Sequence, residues 1–187
     1  MTLDQPTVVV LDRDGVINED SPDYIKTPDE WHPLPGSLEA IARLKQAGFE
    51  VAIATNQSGV GRGLFSVDTL WDIHRKMLAE ILACDGYVKR IFFCLHTPED
   101  DCDCRKPKPG LLYQVAEYFA CGFDRMIMIG DAARDLEAAE AAGIRSILVR
   151  TGKGAQTEAT LTPTKKLEVY DDLAAAVTAL LAEKSAN

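Results

Sequence analysis

The chain has 187 residues, the length of one α/β domain, and 47% of them are hydrophobic, enough to bury a single sizeable core. Lys and Arg number 20 against 29 Asp and Glu, a net charge of -9, and no basic run or stripe offers the footprint of a nucleic-acid binder. The apolar run Val8-Val9-Val10-Leu11 is too short for a membrane span and has no charged flank or cleavage site before it, so a cytoplasmic monomer with one domain over residues 1–187 is expected.

Short β-branched runs alternate with segments of helical period, the pattern of βαβ units winding a parallel sheet. A first strand is predicted over Val8 to Asp12, and a polar stretch from Gly15 to Pro35 reads as a loop or small flap. A helix from Ser37 faces inward through Leu38, Ile41 and Leu44 and meets a stop at Gly48, and a strand follows over Val51 to Ala54. Thr55 to Phe65, with Gly59, Gly61 and Gly63, reads as a turn. Ser66 can then cap a helix whose apolar face is Leu70, Met77, Leu78, Ile81 and Leu82.

The third strand is expected over Arg90 to Cys94, and Pro109 starts a helix facing inward through Leu112, Val115, Ala116 and Phe119. Strand 4 spans Met126 to Ile129, a helix runs from Ala133 to Ala142, strand 5 spans Ile144 to Val149, and Thr151 to Lys166 reads as a surface loop. A last helix over Asp172 to Glu183 packs through Leu173, Val177, Leu180 and Leu181. The expected class is therefore a doubly wound, Rossmann-like α/β sheet, with ligands at the carboxyl ends of strands 1, 2 and 4. No segment between strands exceeds a flap, so no large cap domain is expected.

Residues able to do chemistry fall at those strand ends. In Asp12-Arg13-Asp14-Gly15 an apolar strand runs into two carboxylates one residue apart, expected to leave the strand end on the same side, where they repel unless a cation such as Mg²⁺ sits between them; a DxDG is also a common polar turn. Gly130-Asp131 repeats the pattern after strand 4, and Asp135, four residues on, can cap the helix or orient Lys106. Thr55-Asn56-Gln57-Ser58-Gly59 offers a hydroxyl and backbone N–H groups for phosphate oxygens, or is an ordinary turn.

Five cysteines stand at 84, 94, 102, 104 and 121. Cys94, His96, Cys102 and Cys104 supply three thiolates and one imidazole, the donor set of a closed structural Zn²⁺ site, the alternative being buried free thiols.

In order, Asp-x-Asp, Thr, Lys and Gly-Asp-x-x-x-Asp resemble the motifs of the haloacid dehalogenase superfamily over about residues 7–150. The resemblance implies a Mg²⁺-dependent phosphotransferase with Asp12 as nucleophile, Asp14 as general acid and base, and Thr55 and Lys106 stabilising the phosphoryl group. Asp12, Asp131 and Asp14, the last through its backbone carbonyl, would hold the magnesium. Within the superfamily, the Cys94-to-Gly110 loop resembles that of heptose-bisphosphate phosphatases and of the related histidinol-phosphate phosphatases. The Thr55-to-Gly63 turn resembles the heptose branch, which serves lipopolysaccharide assembly.

That likeness implies a small sugar-phosphate substrate touched by Asp20, Ser21, Thr55, Asn56, Gln57, Ser58, Arg62, Arg105 and Lys106. Two positions depart from the pattern: Val16 where many relatives carry Thr, and Ala132 where some carry Lys.

Overall fold

Side chains along a strand point alternately to its two faces, and here both faces are covered, so β1, Val8–Leu11, is apolar and buried at every position. The computed structural model describes residues 6–161 and 167–186. Val9 and Leu11 pack into one layer with helices α1 (Ser37–Gln46), α3 (Val67–Ala83) and α7 (Leu173–Ala186). Val8 and Val10 enter the opposite layer with α4 (Gly110–Phe119) and α5 (Ala133–Ala142).

The remaining strands are β2 (Glu50–Asn56), β3 (Arg90–Cys94), β4 (Met126–Gly130), β5 (Arg145–Val149) and β6 (Glu168–Tyr170). They form one parallel sheet in the order β3-β2-β1-β4-β5-β6. The order reverses at β1, whose register sets Leu11 beside Ile53 on one side and Ile129 on the other. The residues that follow these three positions therefore emerge together, at the crevice where open α/β sheets bind ligands.

Among the described residues no large cap covers that edge. The stretch after β1 folds back as a small flap, with Glu19 N–H donating to His32 O and Leu34 N–H to Ile17 O. Its anchor is Trp31, fully buried, whose carbonyl accepts from Lys76 Nζ at 2.7 Å. Among the described residues no helix is long and apolar enough to cross a membrane.

Three expectations need correction. Leu82 does not join the apolar face of α3 but is 64% exposed, because it sits one residue, about 100°, beyond the buried Ile81. The turn after β2 contains a short helix, α2 (Ser58–Gly61). The segment expected as a loop from Thr151 holds α6 (Gly154–Thr160), followed by the edge strand β6; residues 162–166 of that loop lie outside the described residues. Polar contacts explain α6, since Thr157 is buried with its hydroxyl donating to Asp131 O, a contact that leaves no apolar period to read.

Candidate active site

The ends of β1 and β4 and the first turn of α5 bring Asp12, Asp131 and Asp135 together: one carboxylate oxygen of each lies within 4.8 Å of the others, and all three residues are buried. Three buried anions need compensation. Lys106 reaches them from the loop before α4, with Nζ 3.1 Å from Asp12 Oδ1 and 2.6 Å from Asp135 Oδ1, while donating to Ala54 O at 2.7 Å. Its backbone is held in turn by the Asn56 amide, which donates to Lys106 O at 2.9 Å and accepts from Lys106 N–H at 3.1 Å.

The charges settle into a definite pattern. Burial pushes Asp12 upward, but Lys106, then Arg134 and the Arg13 N–H, outweigh it and hold the carboxyl below its ordinary range. Asp12 is thus an ionised carboxylate in a desolvated setting. Burial likewise opposes the charge on Lys106, and Asp12 with Asp135 reverses that and raises it. For Asp131 the opposing pull of the Lys153 N–H and of Arg134 falls short, and burial, then the charge of Asp12, push it up to about 7.

Asp131 is also the carboxylate most visibly prepared for a metal. Its Oδ2 accepts from Lys153 N–H at 2.8 Å, while Oδ1 is buried without a hydrogen-bond partner. An all-oxygen donor set around an unpartnered buried carboxylate oxygen suits a hard cation such as Mg²⁺. Gly15 and Gly152 press against the other oxygen, both at positive φ, and a Cβ at Gly152 would stand 2.6 Å from the Cα of Gly15 as well. Thr151 Oγ1 donates to Gly15 O at 2.6 Å and closes this cradle.

Asp14 lies apart from the carboxylate cluster. β1 ends at Leu11, and the chain turns with the N–H groups of Ile17 and Asn18 donating to Arg13 O, so strand alternation does not carry Asp14 to the side of Asp12. Its carboxylate accepts instead from Arg13, from Asn18 Nδ2 at 2.9 Å and from Gln57 Nε2 at 3.0 Å. The same Gln57 amide donates to Thr55 Oγ1 at 2.9 Å. Gln57 and Asn56, expected at the substrate, thus spend their side chains on Thr55, Asp14 and Lys106.

The other expected substrate contacts have local partners or are buried. Asp20 Oδ2 pairs with Lys153 Nζ at 3.0 Å, and its Oδ1 accepts from Ser21 N–H. Arg62 lies 3.7 Å from Glu99, Arg105 Nη1 donates to His96 O at 3.1 Å, and Ser58 is buried at the start of α2.

Sequence reasoning missed Arg134, whose Nη2 lies 3.7 Å from Asp12 Oδ2 and whose Nε is buried without a partner. On a helix its spacing resembles that of any solvated cation. It missed Lys153 because that residue falls in the segment read as a surface loop.

Behind Lys106 the four Cys and His ligand atoms converge. Cys104 Sγ lies 3.2 Å from Cys94 Sγ and 3.5 Å from Cys102 Sγ, with His96 Nδ1 3.3 Å from Cys104 Sγ. A tetrahedral zinc with Zn–S bonds of about 2.3 Å separates its sulfurs by about 3.8 Å, so this cluster can hold such an ion with little movement.

A parallel sheet with two strand-end carboxylates, a third in the helix that follows and a buried lysine beside them at its reversal point defines a haloacid-dehalogenase-like hydrolase, and the HAD-hydrolase-like family model matches residues 103–176. The chain is 49% identical over 175 residues to the D-glycero-beta-D-manno-heptose-1,7-bisphosphate 7-phosphatase of Pseudomonas aeruginosa, covering 94% of this chain and 98% of that one. The crystal structure of D,D-heptose 1,7-bisphosphate phosphatase from B. bronchiseptica, complexed with magnesium and phosphate, superposes with a TM-score of 0.92 at 47% identity, over 95% of this chain and 99% of that one. The corresponding enzyme from Burkholderia thailandensis gives a TM-score of 0.75 at 42% identity, over 94% and 98%. The chain belongs to this heptose-bisphosphate phosphatase family.

Proposed function

We propose that this protein hydrolyses the 7-phosphate of D-glycero-beta-D-manno-heptose 1,7-bisphosphate through an aspartyl phosphate on Asp12. One observation above all supports the reading: the ionised Asp12 is fixed between Lys106 and Arg134 at the carboxyl end of β1, beside an Asp131 oxygen with no partner. Asp12, Asp131 and the backbone carbonyl of Asp14 would hold Mg²⁺, which when bound supplies positive charge to the phosphoryl oxygens.

Asp12 attacks phosphorus as the bond to the sugar oxygen breaks, and Asp14 hands that oxygen its proton. Water then attacks the acyl phosphate, giving a proton to Asp14, and the bond from phosphorus to Asp12 breaks to free phosphate. Lys106 and the Thr55 hydroxyl meet the charge on the transferred group, so positioning and electrostatics supply most of the acceleration. Arg105 and Arg62 at the mouth take the phosphate that stays, with Asp20, Ser21 and Ser58 lining the sugar.

The Cys/His cluster takes zinc as a closed structural site. It fixes the loop in which Cys104 is followed directly by Arg105 and Lys106.

Phosphate release from heptose 1,7-bisphosphate and from histidinol phosphate, compared side by side with phosphorus NMR of the products, tests this. The expected result is efficient release from the bisphosphate only, leaving the 1-phosphate, with Asp12→Asn folded and inactive. Faster release from histidinol phosphate, or substantial turnover by a clean Asp12→Asn preparation, refutes it.

A further inference from the structure

Arg13 is a charged side chain that the chemistry above does not use, yet it is 1% exposed, among the most deeply buried large side chains of the protein. Burying a guanidinium is costly unless its donors are matched. Here they are matched chiefly by one residue: Nε donates to Asp14 Oδ1 at 3.0 Å, and Nη2 donates to Oδ1 at 2.9 Å and to Oδ2 at 3.0 Å. A planar fork on both carboxylate oxygens fixes a direction as well as a charge.

The fork is itself anchored from behind. Arg13 Nη1 donates to His74 Nε2 at 3.4 Å, and His74 is fully buried in α3. Burial, then the charge of Arg13, push the imidazole down to about 3, so at neutral pH it is an uncharged acceptor. The ring stands edge-on to Trp71, with centroids 5.7 Å apart, and lies 5.8 Å from Phe93. An aromatic cluster between α3 and β3 thereby holds the imidazole, the imidazole holds the guanidinium, and the guanidinium holds the carboxylate.

We propose that Arg13, fixed by His74, is a positioning residue that sets the orientation of the Asp14 carboxylate for proton transfer. The inference deepens the proposed function and rests on the role given there to Asp14. Asn18 and Gln57 complete the grip but are neutral, and Gln57 is shared with Thr55. Without Arg13, Asp14 keeps partners and loses its two-point contact.

The reading makes a demand that a purely structural role would not. An alkyl phosphate needs a proton on its departing oxygen, whereas nitrophenolate leaves without one. With Mg²⁺- and Zn²⁺-loaded full-length protein, the first step is measured as single turnover of a sugar phosphate and as the nitrophenolate burst from p-nitrophenyl phosphate. Arg13→Lys keeps the charge but not the fork, and should slow the sugar phosphate roughly 10- to 100-fold, the range seen when a group orienting a reactive ligand is removed. The burst should change less than about threefold, since proton donation is not at stake in it.

His74→Leu should separate the two substrates in the same direction, and His74→Gln, which again offers Arg13 an acceptor, should recover most of the loss. This second pair leaves the Arg13 side chain in place and carries the test even where Arg13→Lys does not fold. Equal losses on both substrates in His74→Leu, or in a folded Arg13→Lys, overturn the inference. Asp14→Asn is the reference: if it separates the substrates and the Arg13 and His74 variants do not, only the positioning role fails. If Asp14→Asn itself slows both first steps alike, the proton-transfer reading of Asp14 fails and the inference falls with it.

Discussion

Replacing Gly152 by alanine should injure the metal site through one carbon atom. The residue has φ +56°, a left-handed conformation that costs an L residue about 1 to 2 kcal/mol. The new Cβ would also overlap Asp131 Oδ2 and stand 2.6 Å from Gly15 Cα, which is backbone and cannot swing aside. Overpacking of this kind adds about 1 to 3 kcal/mol. Gly143 provides the control, because at φ +70° it closes α5 in the same backbone region and a Cβ there meets nothing within 4 Å. Gly143→Ala should therefore cost about 1 to 2 kcal/mol, and Gly152→Ala about 2 to 5 kcal/mol. For a chain of this size that is a fall in melting temperature of about 2 to 4 °C per kcal/mol. The two variants part most clearly in Mg²⁺ titrations followed by calorimetry, where Gly143→Ala should bind normally and Gly152→Ala roughly 10- to 100-fold more weakly. Equal melting temperatures and equal Mg²⁺ affinities for the pair would refute the cradle.

Asp131, raised to about 7, must lose its proton to bind a cation. Mg²⁺ affinity should then be flat above pH 7 and about 10-fold weaker at pH 6 and 100-fold weaker at pH 5; a pH-independent affinity with no proton release would contradict it. For the metal-free protein the sign follows from the same shift: a carboxyl raised on folding binds more protons folded than unfolded between about pH 4 and 7, so its contribution to stability falls as pH rises through that window. Cys102→Ser should lose zinc, melt lower and slow turnover, whereas Arg105→Ala should keep zinc and stability and lose affinity mainly for the bisphosphate. Metal analysis, melting curves and kinetics on mono- and bisphosphate substrates decide, and unchanged zinc and kinetics in Cys102→Ser would remove the clip from the account.

Five of the six strands were legible because each carries a short apolar run and each helix before the next strand stops at a glycine or a change of period; β6, three half-buried residues at the sheet's edge, was not. Asp12, Thr55 and Asp131 were legible for a related reason: a polar residue at the carboxyl end of a buried strand has only the sheet's edge to occupy. The direction of Asp14 was not legible, since alternation holds only while the strand lasts and β1 ends one residue before Asp12. Nor was α6, built from Gly, Ala, Gln, Glu and Thr and tied down by the Thr157 hydroxyl instead of an apolar stripe. Arg13 and His74 gave no signal because their partnership spans 61 positions.

The place of β1 in the sheet has a consequence for the chain as it is made. β1 pairs with β2 on one side and with β4 on the other, so its second neighbour is synthesised long after its first. Until Met126–Gly130 emerges, one edge of β1 is open and Asp12 has neither Asp131 nor Asp135 beside it. A ribosome-bound chain that stops short of β4 therefore exposes an unpaired apolar edge, the kind of surface that recruits chaperones or other strands. It also has no acidic triad to capture a divalent ion out of turn.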